Sequence, residues 1–136
     1  KERSTELLDV LGLTEVKNKA VQKFSGGMKR KVNLAIGVIH NPPLLFLDEP
    51  TVRVDVQTRH IIINYLKELN SKGTTLIYTS HQLSEAQDLC NKIALLNEGK
   101  IIAHDEPGHL FSAHNTKDLE ELFIKLTGKT RTENHV

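Results

Sequence analysis

The sequence predicts an α/β domain built on a mostly parallel sheet flanked by helices. Two apolar runs predict its strands: Leu44 to Leu47 leads into Asp48-Glu49, and Thr74 to Thr79 leads into Ser80-His81. Such runs are typical of strands buried on both faces, with ligand-binding groups at their C-terminal ends. Around them, apolar residues recur near a 3.6-residue period, as on helices packed against a sheet. The connections are only a few residues long, so strand, helix and strand alternate as in parallel α/β folds.

Leu7, Leu8, Val10, Leu11 and Leu13 predict a short amphipathic helix that stops near Gly12, followed by a polar connector from Thr14 to Gln22. Phe24-Ser25-Gly26-Gly27 precedes a second helix running from Met28 to His40, whose apolar residues are Met28, Val32, Leu34, Ala35, Val38 and Ile39. Asn41-Pro42-Pro43 ends it, because proline has no N–H and biases its predecessor away from helical angles. After the first strand, a loop from Thr51 to Val56 leads to a helix with Ile61, Ile62, Tyr65, Leu66 and Leu69 on one face, closing at Lys72-Gly73. Beyond the second strand come a short helix from Ser84 to Cys90 and two strands, Lys92 to Asn97 and Lys100 to His104, joined as a hairpin through Glu98-Gly99. Pro107 to Phe111 and Thr116 to Leu126 predict helices, and Gly128 to Val136 a polar, frayed end.

A chain of 136 residues is one domain by length and can bury roughly two thirds of its unfolded surface. A hydrophobic share of 38% and a charged share of 26% are ordinary for a globular protein, and no apolar run approaches the roughly 18 residues of a membrane span. The formal charge of +1 is too balanced to point to nucleic acid or an acidic lipid surface. The single Cys90 excludes an internal disulfide and suits a reducing compartment. A helix-like stretch begins almost at Lys1 without an initiator Met, as expected of a piece cut from a longer chain.

Asp48-Glu49 at a strand end suits nucleotide hydrolysis: the first acid can hold Mg²⁺ through water and the second can orient or deprotonate the attacking water. Taken alone, the pair is equally a solvated acidic turn. Ser25-Gly26-Gly27 before a helix offers bare N–H groups, a hydroxyl and the positive end of the helix dipole to an anion; taken alone it is more readily an ordinary serine N-cap. His81 is one of seven histidines, and only its place at a strand end singles it out. The histidines and the cysteine show no zinc spacing.

In combination these elements resemble the nucleotide-binding domain of the ABC ATPases, a branch of the P-loop NTPases. FSGGM is similar to the family signature, LLFLDEP to its Walker B strand, Val54-Asp55 to its D-loop, and TSH to its switch-histidine loop. The order and spacing carry the resemblance, which runs from Leu7 to about Gly128. It implies the C-terminal part of the domain: the end of the helical subdomain at 1–40, the Walker B, D-loop and switch core at 41–106, and C-terminal helices and tail at 107–136. It implies that Asp48 supports Mg²⁺, that Glu49 acts on the lytic water and that His81 contacts the γ-phosphate. Ser25, Gly26, Gly27 and Asp55 would serve ATP across a dimer with a second ABC ATPase protomer. The implied activity is ATP hydrolysis powering transport through a transmembrane permease, at the cytoplasmic face of the inner membrane, with no nucleic acid as partner. A soluble ABC ATPase acting on the ribosome or DNA, or a degenerate non-enzymatic module, are the alternatives; the chain lacks the long heptads of a DNA-repair head.

The tail LEELFIKLTGK resembles that of subunits in drug-export and polysaccharide-export systems. Phe24 and Met28 replace the usual leucine and glutamine of the signature, and Arg53 stands where the family usually has glycine. A glycine in a tight loop often serves a positive φ, so Arg53 places the D-loop geometry in question. No GxxxxGK[ST] loop occurs in the 136 residues. In the family that loop's strand lies between the strand before His81 and the strand from Lys92. The chain alone is therefore expected to leave a gap in the sheet, to hydrolyse no ATP, and to oligomerise or swap elements through its unpaired edges.

Overall fold

In the computed structural model, which describes residues 2–128, the chain divides after Thr79 into two units. The polar end expected to fray lies, from position 129 on, outside the described residues.

The first unit opens with helix α1, Glu2–Val10. Gly12, at φ +63°, ends it. Leu13 N–H reaches Leu8 C=O at 2.7 Å and Gly12 N–H reaches Asp9 C=O at 2.9 Å, the paired bonds of a Schellman stop. The connector holds two single 3₁₀ turns, Thr14–Val16 and Val21–Lys23. Helix α2, Gly26–Val38, buries Lys31, Leu34 and Val38, and Asn41 at φ +51° before Pro42 turns the chain into strand β1, Leu44–Asp48. Helix α3, Val56–Ser71, then crosses to strand β2, Thr75–Thr79. It starts five residues before the predicted apolar face, because Asp55 caps it.

β1 and β2 pair in parallel, with Leu44 opposite Thr75, Phe46 opposite Ile77 and Asp48 opposite Thr79. The buried side chains of this unit include Leu7, Leu11 and Leu13 of the entry segment, Leu34 and Val38 of α2, Leu47 of β1, and Ile62, Tyr65, Leu66 and Leu69 of α3. At roughly 1.5–3 kcal/mol for each fully buried large apolar side chain, this set supplies the main drive for folding the unit.

The expectation that β1 is buried on both faces is corrected. Leu47 is 8% exposed, but Leu44 is 45% and Phe46 72% exposed. Side chains alternate along a strand, so in this two-stranded sheet Leu45 and Leu47 turn inward while Leu44, Phe46 and Ile77 share an open face. An apolar run on both faces belongs to a strand covered on both sides, and here one side is uncovered.

The second unit contains helix α4, Leu83–Leu89, strands β3, Ile93–Asn97, and β4, Lys100–Asp105, and helices α5, Pro107–His114, and α6, Leu119–Thr127. β3 and β4 form the expected antiparallel hairpin, with a register shift at Leu95/Leu96. Its turn residues Glu98 and Gly99 both have positive φ, +51° and +75°, as a two-residue hairpin loop requires. Ile93, Leu95, Leu110, Leu119 and Leu122 form the core, ringed by Leu83, Ala86, Cys90 and Phe111 among others. Asp118 caps α6 by accepting from Glu121 N–H at 2.8 Å, and Glu121 in return accepts from Lys117 N–H at 2.8 Å, a reciprocal arrangement close to a capping box.

The α/β fold class holds. Among the described residues the strands form two separate pairs, one parallel and one antiparallel, and β2 shares no ladder with β3.

Candidate functional site

The parallel register delivers Asp48 and Thr79 side by side at the C-terminal ends of β1 and β2. Thr79 Oγ1 donates to Asp48 Oδ1 at 2.6 Å and accepts the N–H of Glu49 at 3.2 Å. The carbonyl of Thr79 accepts the same N–H at 3.1 Å. Glu49 leaves the strand at φ +45°, a left-handed conformation that costs a non-glycine residue on the order of 1 kcal/mol. Two acceptors on Thr79 hold it there.

Below this point the loop is pinned by Thr51, 1% exposed, whose hydroxyl lies 3.2 Å from the hydroxyl of Tyr78 on β2. Val52 N–H closes a turn on Glu49 C=O at 3.2 Å. Arg53 sits at φ +56°, so the position calls for the conformation that glycine adopts without strain.

Asp55 ends the loop as the N-cap of α3. Its Oδ1 accepts Thr58 N–H at 2.8 Å and its Oδ2 accepts the Thr58 hydroxyl at 2.7 Å. These bonds favour the charged form, the backbone N–H of Thr58 most and its hydroxyl next, and hold the carboxyl below the usual aspartate range. Ser25 is likewise the N-cap of α2, its Oγ accepting Met28 N–H at 3.2 Å. The ordinary capping role of Ser25 is thus present, and it is compatible with anion binding because the hydroxyl proton is not consumed by the cap. Space beside Gly26 is open, a methyl built there meeting nothing within 4 Å. Gly27 differs: a Cβ there would lie 3.0 Å from Thr58 Oγ1 and 3.5 Å from Asp55 Oδ2.

The first unit therefore brings the candidates together in two sets, Asp48 with Glu49, and Gly27 of the Ser25–Gly27 turn with Asp55. His81 belongs to the second unit, exposed just before α4, where Gln82 N–H bonds Ser80 Oγ at 2.9 Å. Sequence reasoning passed over Thr79, Thr58 and Tyr78. Thr79 carried a signal in being the hydroxyl residue two before His81, but its partner follows only from the register.

Among the described residues no cluster of three or more His, Cys, Asp or Glu could hold a metal ion by itself. The donor set still fits Mg²⁺, which keeps several waters and binds through one or two carboxylates together with substrate phosphates. Asp48 is exposed and has one carboxylate oxygen held by Thr79.

Comparison with known proteins shows the family to which the chain is similar. Residues 1–52 match the family model described as ABC transporter. The chain is 45% identical over 103 residues to the linearmycin resistance ATP-binding protein LnrL of Bacillus subtilis, covering 76% of this chain and 33% of that protein. It is 36% identical over 113 residues to the daunorubicin/doxorubicin resistance ATP-binding protein DrrA of Streptomyces peucetius, covering 83% and 34%. A solved ATP-binding subunit of an ABC transporter superposes with a TM-score of 0.84 at 26% identity, over 93% of this chain and 53% of that one. The chain spans about a third of the length of these two curated relatives.

Proposed function

Because the chain belongs to the ABC transporter ATP-binding family and carries part of its nucleotide-binding domain, we propose that it supplies the hydrolytic and partner-facing groups of an ATP site that powers transport. The observation that carries this reading is the pair Asp48-Glu49 at the end of β1, Asp48 held by its carboxylate and Glu49 by its backbone N–H on Thr79. Asp48 takes the metal-bound water, and Mg²⁺, when bound, neutralises charge on the phosphates. Glu49 orients the attacking water and accepts its proton as the new oxygen–phosphorus bond forms and the bond from the γ-phosphorus to the bridging oxygen breaks. His81 contacts the γ-phosphate.

Ser25, Gly26 and Gly27 meet the γ-phosphate of ATP held by a second ABC ATPase protomer, where the start of α2 offers N–H groups and a positive dipole end. Asp55 stands at the same interface. The division of labour follows 1–40 for the signature, 41–106 for the hydrolytic core and 107–136 for the tail. No described helix is long and apolar enough to cross a membrane. The likeness to ABC transporter ATP-binding proteins supports a permease partner at the cytoplasmic membrane face as the route to transport. The linearmycin and daunorubicin/doxorubicin resistance proteins and the Nod factor export proteins among the relatives support export as the direction of transport.

The chain alone is proposed to hydrolyse no ATP, since no GxxxxGK[ST] segment occurs in it. Phosphate release from Mg²⁺-ATP should stay at the buffer rate, and turnover lost on Glu49→Gln would overturn this. The open face of Leu44, Phe46 and Ile77 and the strand edges beside it should drive self-association. Light scattering that shows a clean monomer at high concentration would contradict it.

A further inference from the structure

Two helix starts that are far apart in sequence meet at one side chain. Thr58, 7% exposed, gives its hydroxyl proton to Asp55 Oδ2 and its backbone N–H to Asp55 Oδ1. The same hydroxyl, with the methyl beside it, faces the start of α2, where a Cβ on Gly27 would come within 3.0 Å of Thr58 Oγ1 and 3.3 Å of its Cγ2. Contacts that short force a neighbour to shift. A Cβ at Gly27 would fit only if the Thr58 side chain gave way by a few tenths of an ångström, so the turn at 25–27 lies tightly against the cap of α3.

We propose that Thr58 is a positioning residue that locks the Ser25–Gly27 turn and Asp55 into one rigid element, so that both are presented together. The proposal rests on the reading of those residues as the groups offered to the partner's nucleotide, and it adds the mechanism that keeps them in register. Asp55 spends its carboxylate on Thr58 and is thereby fixed in orientation. Gly27 favours the close packing against Thr58, in addition to any role its N–H has toward a phosphate. A substitution at either helix start is therefore felt at the other.

The junction is read by NMR titration of the whole 136-residue chain, following the Asp55 carboxyl carbon and the Gly27 amide. In the parent both should report one midpoint, below that of an ordinary aspartate. Thr58→Val keeps the shape and removes the donor; the Asp55 midpoint should rise and the Gly27 response should shift with it. Thr58→Ser keeps the donor and should restore the parent midpoint. A Gly27 amide that ignores the titration of Asp55, or a Val variant with the parent midpoint, would overturn the proposal. Gly27→Ala should displace the Thr58 and Asp55 resonances, and unchanged resonances would count equally against it. No nucleotide enters the experiment, so a chain that fails to meet a nucleotide-loaded partner would sink the functional reading while the titration still judges the junction.

Discussion

Thr79 Oγ1 donates a 2.6 Å hydrogen bond to Asp48 Oδ1 across the last rung of the parallel ladder, and the same oxygen accepts Glu49 N–H at 3.2 Å. The hydroxyl has one proton, which goes to the carboxylate, leaving a lone pair for the amide. One side chain therefore fixes the Asp48 carboxylate and the backbone of Glu49. Bonds to charged groups contribute about 1.5–3 kcal/mol when sheltered, and at this exposed strand end about 1 kcal/mol is expected. Thr79→Val should lower the unfolding free energy by that amount in urea titration, and Thr79→Ser should remain near the parent. Equal stability of the Val variant would contradict the bond's role.

Arg53 holds φ +56°, which costs a residue with a side chain about 1 kcal/mol relative to glycine. Arg53→Gly relieves this strain but adds freedom to the unfolded chain, which offsets part of the gain. The variant should be more stable by a few tenths to about 1 kcal/mol, measured as the denaturant midpoint at constant m-value. A fall in the midpoint would mean that the arginine side chain makes a stabilising interaction that outweighs its backbone.

The lowered pKa of Asp55 sets a sign for the acid limb of stability. A depressed folded value means that the carboxylate stabilises the fold fully above its unfolded pKa of about 3.9. That contribution disappears as the pH falls through the lower folded value. Thermal midpoints should therefore drop between about pH 4 and the folded pKa, and Asp55→Asn should flatten this part of the curve. An unchanged slope in the variant would assign the acid sensitivity elsewhere.

Leu66 and Phe46 are both large and apolar but differ in burial, at 0% and 72% exposed. Leu66→Ala opens a cavity and should cost about 2–5 kcal/mol. Phe46→Thr keeps β propensity and should change stability by less than about 1 kcal/mol while reducing self-association in light scattering. If Phe46→Thr unfolds the chain, its face is packed and not open.

Local chemistry was legible in the sequence wherever one residue decides the backbone. Pro42 ends α2, Glu98-Gly99 makes the hairpin turn, and Ser25 and the glycines after it start α2. The apolar runs gave the strands, but not their exposure: Phe46 reads as core because its neighbours are apolar, and whether a second layer covers it depends on residues elsewhere. Asp55 was read as a loop residue with a partner-facing role, and its capping bond to Thr58 was missed, because the apolar face of α3 begins later, at Ile61. Thr58 and Thr79 were invisible for a different reason. Each acts through a neighbour brought close by packing or register, and no spacing in a single sequence encodes that.

The central claim is that Glu49 is the hydrolytic carboxylate of an ABC ATPase. It is tested most directly by joining this chain behind a phosphate-loop-bearing N-terminal half of an ABC ATP-binding subunit and comparing ATP turnover with Glu49 and with Glu49→Gln. The predicted result is turnover in the parent, a fall of roughly 10²- to 10⁴-fold in the variant, as expected for loss of a general base, and a variant dimer that persists in ATP. Turnover that is indifferent to the Gln substitution would contradict it.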